Sequence, residues 1–362
     1  MDNMKKNEFI PDYASPPGAT LIDILDQQGM SQVELEKRLG MNKKTINQII
    51  KGKAPITQNT AMRLEQVLNV PASFWITREQ QYRETLARLG AIKDFKAQES
   101  WVDDIPTKEL IKRNILPATK DKPTLVQHAL KFFGVASSKE WKSVWEIVPV
   151  AYRRSQKYEA SIGSLAAWLR IGEIKAQKIE CKPYDAKKFR ENLQKIRDLT
   201  KENPKKFESE QIRLCAEAGV AVVFVSQLPK THVSGATRWL NPYKAIIQLS
   251  LRYKSDDQFW FTFFHEAAHI LYHSSKEMFL EGIGYDDEKE QEADTIAANF
   301  LIPIGEYLSF KKNKLFSKIA IREFARSIGV SPGIVAGRLQ HDDEIPKSHC
   351  NDLKRWFELT EG

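Results

Sequence analysis

The chain has 362 residues, enough for two or three domains each with its own core. Lys and Arg number 55 against 47 acidic residues, a net charge of +8, which favours contact with a polyanion. The three cysteines, Cys181, Cys215 and Cys350, are odd in number and far apart, which excludes a disulfide framework or a cysteine metal site as an expectation. The opening MDNMKKNEFIPDYASPPG has no apolar h-region, and no run of 18 apolar residues follows. A cytoplasmic protein with no membrane partner is predicted.

After the breaker Pro16-Pro17-Gly18, helical patterns follow in quick succession. Residues 20–28 place Leu21, Ile24 and Leu25 on one face. Ser31 opens a second helix, with Glu34 as capping-box partner, Leu35 and Leu39 inward, and Gly40 as the stop. Asn42 caps a third, in which Ile46, Ile49 and Ile50 face the core and Lys43, Lys44, Asn47, Gln48 and Lys51 stay outside. A fourth starts near Thr57 and carries Met62, Leu64, Val67 and Leu68. A solvated charged face is the commoner fate of such a bundle. Yet helix, three-residue turn, helix, with amides and lysines outward, also suits a DNA reader, because Asn and Gln pair with adenine edges and Lys meets guanine or phosphate.

The stretch SQVELEKRLGMNKKTINQIIKGKAPIT resembles the XRE helix-turn-helix family, and TAMRLEQVLNVPASFW resembles its HigA-type antitoxin branch. The resemblance implies a double-stranded DNA operator, bound through Gln32, Lys43, Lys44, Thr45, Asn47, Gln48 and Lys51. It also brings a cognate toxin into view as a partner. A homodimer is expected because such repressors read two half-sites.

Residues 79–99 read as a long helix, and 100–200 as several helices with apolar clusters at 130–133, 141–147 and 165–171. No chemical motif stands there, so the region reads as a helical connector or a sensing module. The period then turns strand-like at 220–225, 232–239 and 245–251, three short strands ahead of a further helix. A second helix-turn-helix-like pattern spans 319–339, with Ser331 as cap and Pro332 at the first helical position. Its outer face offers Gly333, Ala336 and Gly337, which cannot read bases, so it is taken as a packing element.

The chemistry concentrates between residues 259 and 303. His265, Glu266 and His269 form H-E-x-x-H, which on a helix aims both imidazoles at one cation with the glutamate beside it as a general base. Downstream, Glu290 and Asp294 stand four apart in a second apolar helix, placed to supply a carboxylate ligand and a group that orients a histidine. His273 competes as a ligand, but three histidines over eight residues drift about 80° around a helix, so His273 is expected to end it. Glu292 points about 160° from Glu290, and only one of them faces the site.

The HEAAH pentad and the block EQEADTIAANFLIP resemble the ImmA/IrrE metallopeptidases over about residues 215–340. That resemblance implies zinc held by His265, His269 and Glu290, Glu266 as catalytic base, and a repressor or partner protein as substrate. The predicted architecture is multidomain and mainly α. It comprises an all-α helix-turn-helix bundle at 1–90, a helical region at 91–205 and an α+β zincin-like domain with a small sheet at 206–362. The competing function is a non-catalytic antitoxin or autorepressor whose metal domain binds a ligand or partner.

Overall fold

The computed structural model describes residues 13–145, 161–250, 255–273, 279–280 and 287–357. Residues 146 and 147 of one predicted apolar cluster, and Leu251 at the end of the third predicted strand, lie outside them. Two compact units are present: 1–99 with 121–126, and 100–120 with 127–362. The chain is mainly helical, with its sheet confined to the second unit.

The first unit is a bundle of α1 (Pro17–Gln27), α2 (Gln32–Leu39), α3 (Lys43–Ile50), α4 (Gln58–Leu68) and α5 (Ala72–Ala97). Local side-chain oxygens start three of these helices. Ser31 Oγ accepts from Glu34 N at 3.2 Å, Asn42 Oδ1 from Thr45 N at 2.9 Å, and Thr57 Oγ1 from Thr60 N at 3.3 Å. Gly40 ends α2 at φ 62, the left-handed conformation that glycine adopts without strain. The capping box closes on one side only, because the Glu34 carboxylate pairs with Arg38. Leu21, Leu25, Leu35, Ile46, Leu64 and Trp75 fill the core. The buried Glu79 of α5 accepts from Ile56 N at 3.1 Å and so ties the long helix to the loop before α4.

Three expectations change here. Helix α1 starts at Pro17, not at residue 20, because proline has no N–H to leave unsatisfied at a first helical position. Gly18 therefore lies inside the helix, against α3. Met62 is 61% exposed, and Thr60 and Ala61 take the inward places on α4. The long helix also begins earlier than read, at Ala72.

In the rest of the chain come α6 (Thr107–Lys112), α7 (Lys122–Phe133), α8 (Ser138–Trp145), α9 (Ile162–Gln177), α10 (Ala186–Asp198) and α11 (Pro204–Ala216). They lead into β1 (Val220–Phe224), β2 (Gly235–Asn241) and β3 (Lys244–Leu249). Then follow α12 (Asp256–Tyr272), β4 (Phe279–Leu280), α13 (Asp287–Leu301), α14 (Ile304–Lys312), α15 (Lys318–Ile328) and α16 (Pro332–His341). Sheet order is β1-β3-β2-β4, with β1 parallel to β3 and the other pairs antiparallel. The two-residue β4 was not anticipated. Strand β2 begins at Gly235, three residues after the predicted start, since His232 takes a positive φ of 49 that a strand excludes.

Side chains of a strand alternate between faces, and here both faces are covered. Val220, Val222, Phe224, Ala245, Ile247 and Leu249 join the core shared with α12. The intervening Gln248 donates to Trp168 O of α9 at 2.7 Å, while Trp168 Nε1 donates to Val225 O at 2.9 Å. Helix α9, from the stretch read as connector or sensing module, thus roofs the second face of the sheet.

Helix α12 carries the motif, and its start is clamped from afar. Asp256 is fully buried and accepts from Arg355 N at 3.0 Å, from Arg355 Nε at 3.2 Å and from Ser331 Oγ. Burial pushes its carboxyl pKa up, opposed by the Ser331 and Arg355 bonds. Asp257 pairs with Lys354 at 2.7 Å. The small residues of α16 make room for this, because a Cβ on Gly333 or Gly337 would fall 2.3 or 2.4 Å from the Asp256 and Asp257 carboxyl oxygens. With Ile334, Val335, Ala336 and Leu339 also buried, the second helix-turn-helix-like pattern is indeed a packing element.

Candidate metal centre and nucleic-acid interface

Apolar burial sets the position of α12. Trp260, Phe263 and Phe264 are at most 1% exposed, and each buried side chain of that size contributes about 2–3 kcal/mol of transfer free energy. With that face fixed in the core, His265, Glu266 and His269 turn toward β2 and α13. His265 Nε2 and His269 Nε2 approach to 3.0 Å. Glu290 of α13 lies 3.4 Å from the first and 3.5 Å from the second. The ligating atoms of these three residues all fall within 4.8 Å of one another. A tetrahedral ion with bonds near 2.1 Å separates its ligands by about 3.3 Å, so the triangle has the size a metal requires.

The donor chemistry fits as well. Burial, with the neighbouring His265, His273 and Lys289, pushes the His269 pKa down to about 2, so its ring stays neutral and keeps a lone pair. Two imidazole lone pairs and a carboxylate converging in a buried place call for a shared cation. His265 is oriented from behind, its Nδ1 lying 2.8 Å from Asp294 Oδ1. Glu290 and Asp294 thus occupy one face of α13, as helical phase predicted, and Glu292 is absent from the triangle. His273 ends α12 as expected, with extended backbone at φ −111 and ψ 167.

Glu266 is fully buried beside the triangle, and β2 holds it there. Thr237 Oγ1 donates to the Glu266 carbonyl at 3.1 Å, across 29 positions of sequence. A Cβ on Gly235 would come within 2.6 Å of Glu266 Oε1 and 2.8 Å of its Cγ. Gly235 was not singled out from the sequence, and only the strand pairing that seats β2 beside α12 reveals it. Alongside runs a groove of about 980 Å³, walled by Phe261, Ala298, Ile302 and Ile334. Its lining includes Thr262, one turn before Glu266, and Asp294, which meets His265.

In the first unit, α2 and α3 are joined through Gly40, Met41 and Asn42, the three-residue turn expected. Gln32, Lys43, Lys44, Gln48 and Lys51 are exposed, and Asn47 is half-buried. Thr45 Oγ1 lies 2.9 Å from Asn42 Oδ1, to which it donates, so that hydroxyl reinforces the start of α3.

A helix-turn-helix family model matches residues 21–75, and a model of the IrrE N-terminal-like domain matches residues 215–340. Among solved structures, an addiction module antidote protein of a HigA family from Coxiella burnetii is 25% identical to this chain. The match covers 23% of this chain and 90% of that one, with a TM-score of 0.21. No curated protein matches. Among the described residues, no helix is long and apolar enough to cross a membrane. Both matched stretches fall on the two geometries above: residues 21–75 carry a helix-turn-helix domain of XRE type, and residues 215–340 an IrrE N-terminal-like domain.

Proposed function

We propose that this protein is a DNA-binding regulator whose C-terminal domain holds one zinc ion and hydrolyses a peptide bond in a repressor or partner protein. The observation carrying this reading is the buried triangle of His265, His269 and Glu290 with Glu266 beside it on the same helix. Two imidazoles and one carboxylate suit zinc and leave a coordination position open, the arrangement of catalytic rather than structural sites. Bound there, the ion supplies Lewis acidity toward water and the peptide carbonyl. Glu266 takes the proton from the attacking water and passes it to the departing amine. His265 is kept in the ligating tautomer by Asp294, and the apolar wall of the groove receives side chains of the peptide. A purely structural ion has no use for a carboxylic acid seated as Glu266 is, which weighs against a non-catalytic platform.

Metal analysis of the purified chain tests the site. About one zinc per chain is expected, on the ligand count alone. It should be lost in His265→Ala and in His269→Ala, and weakened in Glu290→Ala. Retention of metal by both histidine variants would remove the basis of the reading. Incubation with candidate repressors then tests cleavage.

On the DNA side, we infer that α3 enters the major groove of an operator, with a second copy of the chain on the other half-site. Gln48→Ala and Asn47→Ala are expected to relax base choice, each base contact being worth about 1–3 kcal/mol. Lys51→Ala should weaken all sequences alike and flatten the salt dependence by about one unit of slope. Operator selection from a random duplex pool, repeated at several salt concentrations, separates the two behaviours. An unchanged selected sequence with Gln48→Ala and Asn47→Ala combined would displace them from base reading.

A further inference from the structure

The geometry points to His273 and Glu292 as a two-residue support that holds His269 in its ligating tautomer. His265 gets this service directly from a carboxylate, Asp294 at 2.8 Å. For His269 the corresponding nitrogen meets another imidazole, since His269 Nδ1 and His273 Nδ1 are 2.8 Å apart. On the far side of that ring, His273 Nε2 lies 3.3 Å from Glu292 Oε2. The His273 side chain is only 4% exposed, whereas Glu292 is 58% exposed. The support therefore starts at the surface and ends at the metal position.

One proton on each ring satisfies the whole series. His269 faces Glu290 and His265 through Nε2, so a ligating lone pair there puts its proton on Nδ1. That N–H donates to the lone pair of His273 Nδ1. His273 then carries its own proton on Nε2 and donates it to the Glu292 carboxylate. Moving either proton to its other ring nitrogen breaks a bond and, at His269, blocks the lone pair the metal needs.

The fold explains how a histidine four residues beyond a ligand comes to serve it. On a continued helix, His273 would stand one turn from His269 and about 40° around the axis from it, a neighbour in space. Instead α12 stops at Tyr272, and the backbone of His273 is extended while its N–H still donates to His269 O at 3.1 Å. The two rings meet through their Nδ1 atoms, 2.8 Å apart. Glu292 stands on α13 two residues from Glu290, and its carboxylate meets His273.

This inference rests on the proposed zinc site and is tested on the full-length chain with zinc alone. Release of zinc to a colorimetric chelator gives affinity, and the visible spectrum of the cobalt-substituted protein reports ligand geometry. His273→Ala is expected to lower zinc affinity about 10- to 100-fold, the range for loss of a group that orients a ligand histidine. Glu292→Ala should cause a smaller, severalfold loss. In the His273→Ala background, Glu292→Ala should change nothing, because Glu292 acts only through His273. His273→Asn keeps an acceptor oxygen near the position of Nδ1, so it should recover most of the affinity while leaving Glu292 without effect. Wild-type affinity in His273→Ala, or an equal effect of Glu292→Ala with and without His273, overturns the series. Failure of the wild-type chain to take up zinc overturns the proposed function itself, a different result. If His273→Ala loses its helical circular dichroism, His273→Asn decides, and no recovery there counts against the support.

Discussion

Glu266→Gln is expected to keep zinc bound while lowering peptide cleavage by about 10²–10⁴-fold, the usual contribution of a positioned general base. The carboxamide has nearly the shape of the carboxylate, so the close fit against Gly235 survives and the helix stays seated. Ligation is untouched, because the metal triangle consists of His265, His269 and Glu290. What is lost is the capacity to accept a proton from water. Metal content and cleavage of a candidate repressor, followed on one preparation, separate the two roles. Loss of zinc in this variant would make Glu266 a ligand, and undiminished cleavage would deny it the part of base.

The second large effect is expected far from the metal, at Gly18. A Cβ built there falls 2.2 Å from Ile50 Cα and 2.3 Å from Ile50 O, which are backbone atoms and cannot rotate aside. Gly18→Ala therefore forces α1 and α3 apart. Overpacking of this kind costs about 1–3 kcal/mol, and more where backbone must yield. Because α3 carries the DNA-facing residues, operator affinity should fall together with the protection of amides in α1 and α3 against hydrogen exchange. Gly40→Ala is a useful contrast, since it has open space around it and φ 62, so its cost is conformational alone. Exchange is the right measure, because a chain with two units has no single unfolding temperature. Unchanged protection in Gly18→Ala would contradict the close packing.

What the sequence disclosed and what it hid follow a physical division. Ser31, Asn42, Thr57 and Ser331 start helices through bonds to N–H groups two or three residues on, so their meaning is local and readable. The convergence of His265, His269 and Glu290 was legible because the two histidines sit one helical turn apart and Glu290 shares a face with Asp294. Gly18 was misread because Pro-Pro-Gly is a breaker by local chemistry, whereas its use here depends on Ile50 across the bundle. Gly235 and Thr237 reach Glu266 through strand pairing, which no spacing announces. The contact of His273 with His269 went unread because the spacing was weighed only for a third ligand at one ion, not for one ring backing another. Helix α9 could not be assigned to the sheet, for an amphipathic pattern states that a face is covered and not what covers it.

The clamp on α12 bears on the order in which a growing chain becomes competent. The first unit is complete by residue 126, whereas Asp256 waits for Arg355, which is joined 99 residues later. Domains generally fold as units during synthesis, N-terminal first. A nascent chain on this plan acquires its helix-turn-helix bundle long before the residues that fasten α12. Until Arg355 has been joined, the buried Asp256 carboxylate lacks its cation, and α12 lacks the anchor that sets its start. A ribosome halted between these points would leave a folded helix-turn-helix bundle with α12 unfastened, so synthesis imposes a sequence in time that the finished fold does not display.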